Sequence, residues 1–145
     1  MKKTLFLFAL LFTSQAFAEW SLNQNGVAIE PSSNDFQSLA ILEYSIENDQ
    51  YFVSFMDTSQ IGETSDCDER QAVREINGQL VKLVAMCDRG AARYYGQSDK
   101  GRSFIMNEFK TKNSVRVGDT NYSAIGFTAA MNLVKKRKEL EEEAL

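Results

Sequence analysis

The chain of 145 residues contains no histidine. That removes the commonest general base and proton shuttle, and with it any Ser-His-Asp or Cys-His arrangement. Cysteine occurs only at Cys67 and Cys87, so the residues fall short of the four ligands of a usual zinc site. There is one proline, Pro31. Neither G-x-G-x-x-G nor G-x-x-x-x-G-K-[ST] is present, which excludes the common phosphate loops. After the first eighteen residues no apolar run approaches the roughly 20 residues that a membrane span needs. The chain is therefore expected not to be an enzyme, with no catalytic residue, no resident metal and no cofactor.

What is present begins with Met1–Ala18. Lys2 and Lys3 are followed by an unbroken apolar run, Leu5–Phe12, and by Ala16-Phe17-Ala18, the small-x-small pattern cut by signal peptidases. Residues 1–18 read as a signal peptide cleaved between Ala18 and Glu19. Residues 19–145 read as a single soluble domain, exported to the periplasm of a two-membrane bacterium. In that oxidising compartment Cys67 and Cys87 read as one disulfide, worth roughly 3 kcal/mol for a loop of about 20 residues. Pairing between two chains, or two free thiols, are the alternatives.

Charge narrows the partners. The whole chain carries −4, and loss of Lys2 and Lys3 takes it to −6. An acidic chain repels nucleic acid and anionic lipid, so neither is an expected partner. A basic protein partner fits, although acidity also serves solubility alone.

Periodicity predicts an α+β domain: an antiparallel sheet of six to eight strands with one C-terminal helix. Asn25-Gly26 marks a turn within Trp20–Ile29, and Glu30–Asp35 is a loop. Leu39–Glu47 and Tyr51–Met56 form a hairpin about Asn48-Asp49, with Tyr51, Val53 and Phe55 on one face. Ala72–Ile76 and Leu80–Cys87 form a second hairpin about Asn77-Gly78. Both faces of Leu80–Cys87 are largely apolar, which predicts a central, well-buried strand. Arg93–Gln97 reads as a strand, Ser98–Gly101 as a turn and Ser103–Lys110 as the next strand. Val115–Val117 is short and closed by Gly118–Asn121. From Ile125 onward the spacing becomes helical, with Ser123 as a cap and Lys135 and Glu139 as a pair. Fraying is expected after Leu140.

Two polar segments contrast. Asp57–Glu69 carries Asp57, Glu63, Asp66, Asp68 and Glu69 and no basic residue before Arg70. Paired carboxylates can hydrolyse glycosides, but no apolar pocket residues accompany these to raise one acid's pKa. No twelve-residue calcium loop is completed either. A solvated acidic loop is the plain reading. Arg89–Arg102 carries Arg89, Arg93, Lys100 and Arg102 with Tyr94 and Tyr95, residue types that anchor interfaces. The plain alternative is an alternating strand with one tyrosine in the core and solvated arginines.

The signal, the cysteine pair, the strand-rich body and the closing segment Tyr122-Ser123-Ala124-Ile125-Gly126-Phe127-Thr128-Ala129-Ala130-Met131-Asn132 resemble periplasmic immunity proteins of type VI secretion systems. The likeness is to those that protect a bacterium from a lysozyme-like, peptidoglycan-degrading domain on its own secretion spike. The resemblance implies an antitoxin, often a homodimer, that inserts a loop into the effector's active-site cleft. Arg89, Arg93, Lys100 or Arg102 would then meet the catalytic carboxylates, and Tyr94 or Tyr95 a sugar subsite. Glu63, Asp66, Asp68 and Glu69 form the rival contact. A periplasmic small-ligand or envelope-stress binding protein without a toxin partner is the competing reading. A hydrolase using Asp57–Glu69 is a third.

Overall fold

The computed structural model describes residues 20–60, 70–88 and 91–144. The expected signal segment and its Ala18–Glu19 cut, Glu63, Asp66, Cys67, Asp68, Glu69 and Arg89 lie outside them.

Among the described residues, nine antiparallel strands form one sheet: β1 (Ser21–Leu22), β2 (Ala28–Pro31), β3 (Ser38–Ser45), β4 (Gln50–Asp57), β5 (Arg70–Ile76), β6 (Gln79–Asp88), β7 (Ala91–Gly96), β8 (Ser114–Val117) and β9 (Thr120–Ser123). A 3-10 turn, Thr58–Gln60, follows β4. Helix α1 (Asp99–Thr111) lies between β7 and β8, and α2 (Phe127–Glu143) ends the described chain. The spatial order is β1-β2-β3-β4-β7-β6-β5-β8-β9. The class is α+β as expected, with one strand and one helix more than the sequence predicts.

The β5–β6 hairpin follows its turn chemistry, whereas the β3–β4 connection takes the four residues 46–49 rather than the expected Asn48-Asp49 pair. Asn77 (φ 46°) and Gly78 (φ 87°) both sit in the left-handed region, as a two-residue turn between Ile76 and Gln79 requires. Tyr51, Val53 and Phe55 do share a face, opposite Tyr44, Leu42 and Ala40. This face meets both helices. Ile105 and Phe109 of α1 and Phe127, Ala130 and Val134 of α2 close the core over Leu42, Phe55, Leu83 and Val115. Trp20 lies at its centre, 5.4 Å from Phe109 and 5.0 Å from Phe127 in edge-on contacts.

Several local expectations are corrected. Ser103–Lys110 is helix, not strand. Ser98 accepts the Gly101 N–H at 3.1 Å as an N-cap, Asp99 opens the first turn and Lys110 closes the last. The expected turn at Ser98–Gly101 is therefore the start of α1. Strand β6 lies inside the sheet but is buried on one face only. Val81, Leu83 and Ala85 point to the core, while Leu80 and Met86 are exposed on the face that carries no helix. Finally, α2 is entered through Gly126 at φ 82° rather than capped by Ser123, whose hydroxyl accepts the Ile125 N–H. The helix continues past Leu140 to Glu143, where Glu141 pairs with Arg137 and Lys138. Lys135 pairs at the surface with Asp49, in the turn between β3 and β4, rather than with Glu139.

The sheet curls until its two ends meet. The Ser33 N–H donates to the Asn121 carbonyl at 2.8 Å, and Asn34 Nδ2 to the Asp119 carbonyl at 2.7 Å. The Asn121 N–H donates back to Asn34 Oδ1 at 3.1 Å. Trp20 Nε1 donates to the Ser123 carbonyl at 3.1 Å. These bonds occupy the outer edge of β9, which would otherwise offer unpaired backbone groups.

Candidate functional site

The basic segment expected as a contact surface is distributed among three environments. Arg93 is only 7% exposed, on the face of β7 that carries no helix. The ladder places it opposite Met56, next to Ser54 on β4 and one strand from Glu43 on β3. Its guanidinium donates to both Glu43 carboxylate oxygens, at 3.2 and 2.8 Å, and to Ser54 Oγ at 2.8 Å. It also stands 5.4 Å above the Tyr95 ring. Burial, with Glu43 nearby, pushes the Tyr95 hydroxyl above its usual range. This is a forked arginine–carboxylate pair, tied also to Ser54, and so a lock across three strands. Tyr94 points the other way and packs against the core.

Lys100 and Arg102 belong to the first turn of α1. Lys100 is exposed. Arg102 is held by Asp99 and donates to the Gly96 and Gln97 carbonyls. A β-carbon on Gly96 would lie 2.8 Å from the Arg102 backbone nitrogen, so glycine lets the helix start rest directly on β7. The two regions thus do not converge on one basic surface.

Above the Arg93–Glu43 pair lies a half-open cavity of about 500 Å³, walled by Ile29, Ile41, Met56 and Ala91. Its size falls in the range of small-ligand sites. Among the described residues, no group of three or more Cys, Asp or Glu side chains is arranged to hold a metal ion. No helix among them is long and apolar enough to cross a membrane. Cys87 lies on β6 opposite Ala92, and no free cysteine occurs among the described residues. The other end of the expected bridge, Cys67, is outside them.

The loop expected at Glu30–Asp35 begins after β2, at Ser32, and carries at Phe36 a feature that the sequence did not single out. Phe36 there is 76% exposed and stands at φ 56°. A bulky residue in that region costs roughly 1–2 kcal/mol. Hydrogen bonds hold it there. Fully buried Ser32 accepts the Asp35 and Phe36 N–H groups at 3.3 and 3.1 Å and donates its own hydroxyl to Asp35. Asp35 Oδ1 accepts the Gln37 and Ser38 N–H groups, both at 3.0 Å. The Ser32 hydroxyl first, and then the Ser38 backbone, lower the Asp35 carboxyl below its usual range. Thr58 donates to the Gln37 carbonyl through its N–H and its hydroxyl, each at 2.7 Å. The loop, the Gly118-Asp119 turn and the 3-10 turn thereby form one bonded apex. The available sequence signal was a lone aromatic in the polar run Ser32-Ser33-Asn34-Asp35-Phe36-Gln37-Ser38.

No protein-family model, curated protein or solved structure matches this chain.

Proposed function

We propose that the chain is an exported immunity protein that binds a muramidase-type, peptidoglycan-degrading type VI effector in the periplasm. It occludes the effector's active site and so prevents self-intoxication. The reading includes a soluble form of residues 19–145, a Cys67–Cys87 disulfide, no enzymatic activity of its own and the capacity to form a homodimer.

The observation that carries this reading is the bonded apex. Inhibition by occlusion needs a surface that is already ordered, because ordering it on contact subtracts from affinity. Ser32, Asp35, Asn34 and Thr58 supply that order without covering Phe36. Charge adds a second argument. Peptidoglycan carries peptide carboxylates, so an enzyme that works on it gains from a basic surface. A partner of −6 is steered toward such a surface.

The test is a titration of the purified protein into effector turning over peptidoglycan. Stoichiometric loss of turnover is expected. Full turnover in the presence of excess protein refutes the proposal. The cavity over Arg93 and Glu43 favours a second reading, a small-ligand binding protein. Thermal stabilisation by small amphipathic molecules, with effector turnover untouched, would select that reading.

A further inference from the structure

We infer that Phe36 is the anchor of this protein's partner surface, and that it enters an apolar pocket with a basic rim on the partner protein. The inference rests on the occlusion reading and assigns it a contact residue.

Three observations converge on Phe36. Its ring is the most exposed large apolar side chain among the described residues, at 76%. Its backbone stands at φ 56°, which a bulky side chain adopts only when its surroundings impose it. The surroundings impose it here through Ser32 and Asp35, which together accept four backbone N–H groups of the loop. Glycine or asparagine would hold the same conformation at less cost. An aromatic ring displayed to water adds little packing to the fold. It offers a binding surface a rigid anchor with few rotamers to freeze, the type that dominates interface energies.

The flanks state what surrounds the pocket. The Asn34 amide binds the Asp119 carbonyl on one side. On the other, Thr58 binds the Gln37 carbonyl and follows Asp57. Asp57 and Asp119 therefore border the loop, and no described Lys or Arg makes an ion pair with either. An apolar centre with an acidic border complements an apolar pocket with lysines or arginines at its edge.

The experiment compares wild type with Phe36→Gly and Phe36→Asn in the inhibition of effector turnover, with thermal melting in parallel. Both substitutions remove the ring and suit the left-handed backbone. Inhibition is expected to weaken by about 30-fold or more, the level of an interface hot spot. The melting temperature is expected to hold or rise. Inhibition should also weaken with added salt, and that dependence should diminish in Asp57→Asn/Asp119→Asn. If wild type inhibits and the Phe36 variants inhibit equally, this inference is overturned while the occlusion reading stands. If the variants lose inhibition only in step with a lower melting temperature, Phe36 is structural and the inference is overturned. If wild type itself does not inhibit, the occlusion reading fails and this inference with it.

Discussion

Glu30 lies on the core face of β2, opposite Ala40 and only 4% exposed. Burial pushes its carboxyl from an ordinary 4.5 up to about 7, against a backbone hydrogen bond from Ser123 that pulls the other way. The folded protein therefore keeps this proton over a range in which the unfolded chain releases it. Between pH 4.5 and about 7 the native state binds more protons than the unfolded state, so stability falls as pH rises through that window. The difference amounts to about 3 kcal/mol at 1.36 kcal/mol per pH unit. Glu30→Gln cannot ionise and keeps a carbonyl for the Ser123 N–H. It should match wild type near pH 4.5 and exceed it by about 3 kcal/mol at pH 8. Urea unfolding at pH 5, 6, 7 and 8 reads this directly, as a midpoint difference of about 1.5 M at pH 8 for an m-value near 2 kcal/mol/M. Asp35 acts in a separate window: its lowered carboxyl contributes stability lost only as pH falls below the ordinary aspartate value. Equal pH slopes for the two proteins between pH 5 and 8 would refute the assignment to Glu30.

Removing Arg93 leaves Glu43 and Ser54 without their shared donor, so Arg93→Ala should cost about 3–5 kcal/mol in urea unfolding. Arg93→Lys should recover little of it, since an ammonium cannot make the forked contact. Gly96→Ala drives a methyl into the backbone at Arg102 and should cost about 1–3 kcal/mol, read as a lower melting temperature. Gly78→Ala meets no atom within 4 Å, so its penalty is the φ 87° backbone alone, roughly 1 kcal/mol. Replacing Cys67 and Cys87 together by serine should lower stability by roughly 3 kcal/mol, and non-reducing mass analysis of wild type should show an intramolecular bridge.

The β5–β6 hairpin was legible because Asn-Gly names a backbone geometry that few other pairs adopt, and Asn77 and Gly78 take it up. Helix α1 was not. Phe104, Ile105 and Met106 form a continuous apolar run, which suits a buried strand as well as a helix. The residues that betray the helical period are Ile105, Glu108 and Phe109, and the middle one is charged. Glu108 is buried because Asn77 Nδ2 donates to it at 2.7 Å, while Asn77 Oδ1 accepts the Arg116 N–H. A partner 31 positions away thus hides the period from any local reading. The same holds for Arg93. Alternation along β7 could say that it shares a face with Tyr95, but Glu43 is fifty positions earlier. Only the sheet order, with β4 between β3 and β7, brings them together.

The closure of the sheet explains why side-chain hydrogen bonds gather in the loop after β2. Nine strands curling in one direction leave two edges, and an exposed edge invites pairing with another chain. Here β9 is covered by the loop that follows β2, through Ser33 and Asn34. That loop must therefore hold its shape for the fold to stay closed, whatever Phe36 does. Ser32 and Asp35 fix it internally, and Asn34 fixes it to the opposite edge. A side chain placed at its tip inherits this order without adding to it. Substitutions at Asn34 or Asp35 would disturb closure and display together, so their effects cannot separate the two. Phe36→Gly can, because the ring contributes to display alone while its backbone remains in a conformation that glycine holds more easily.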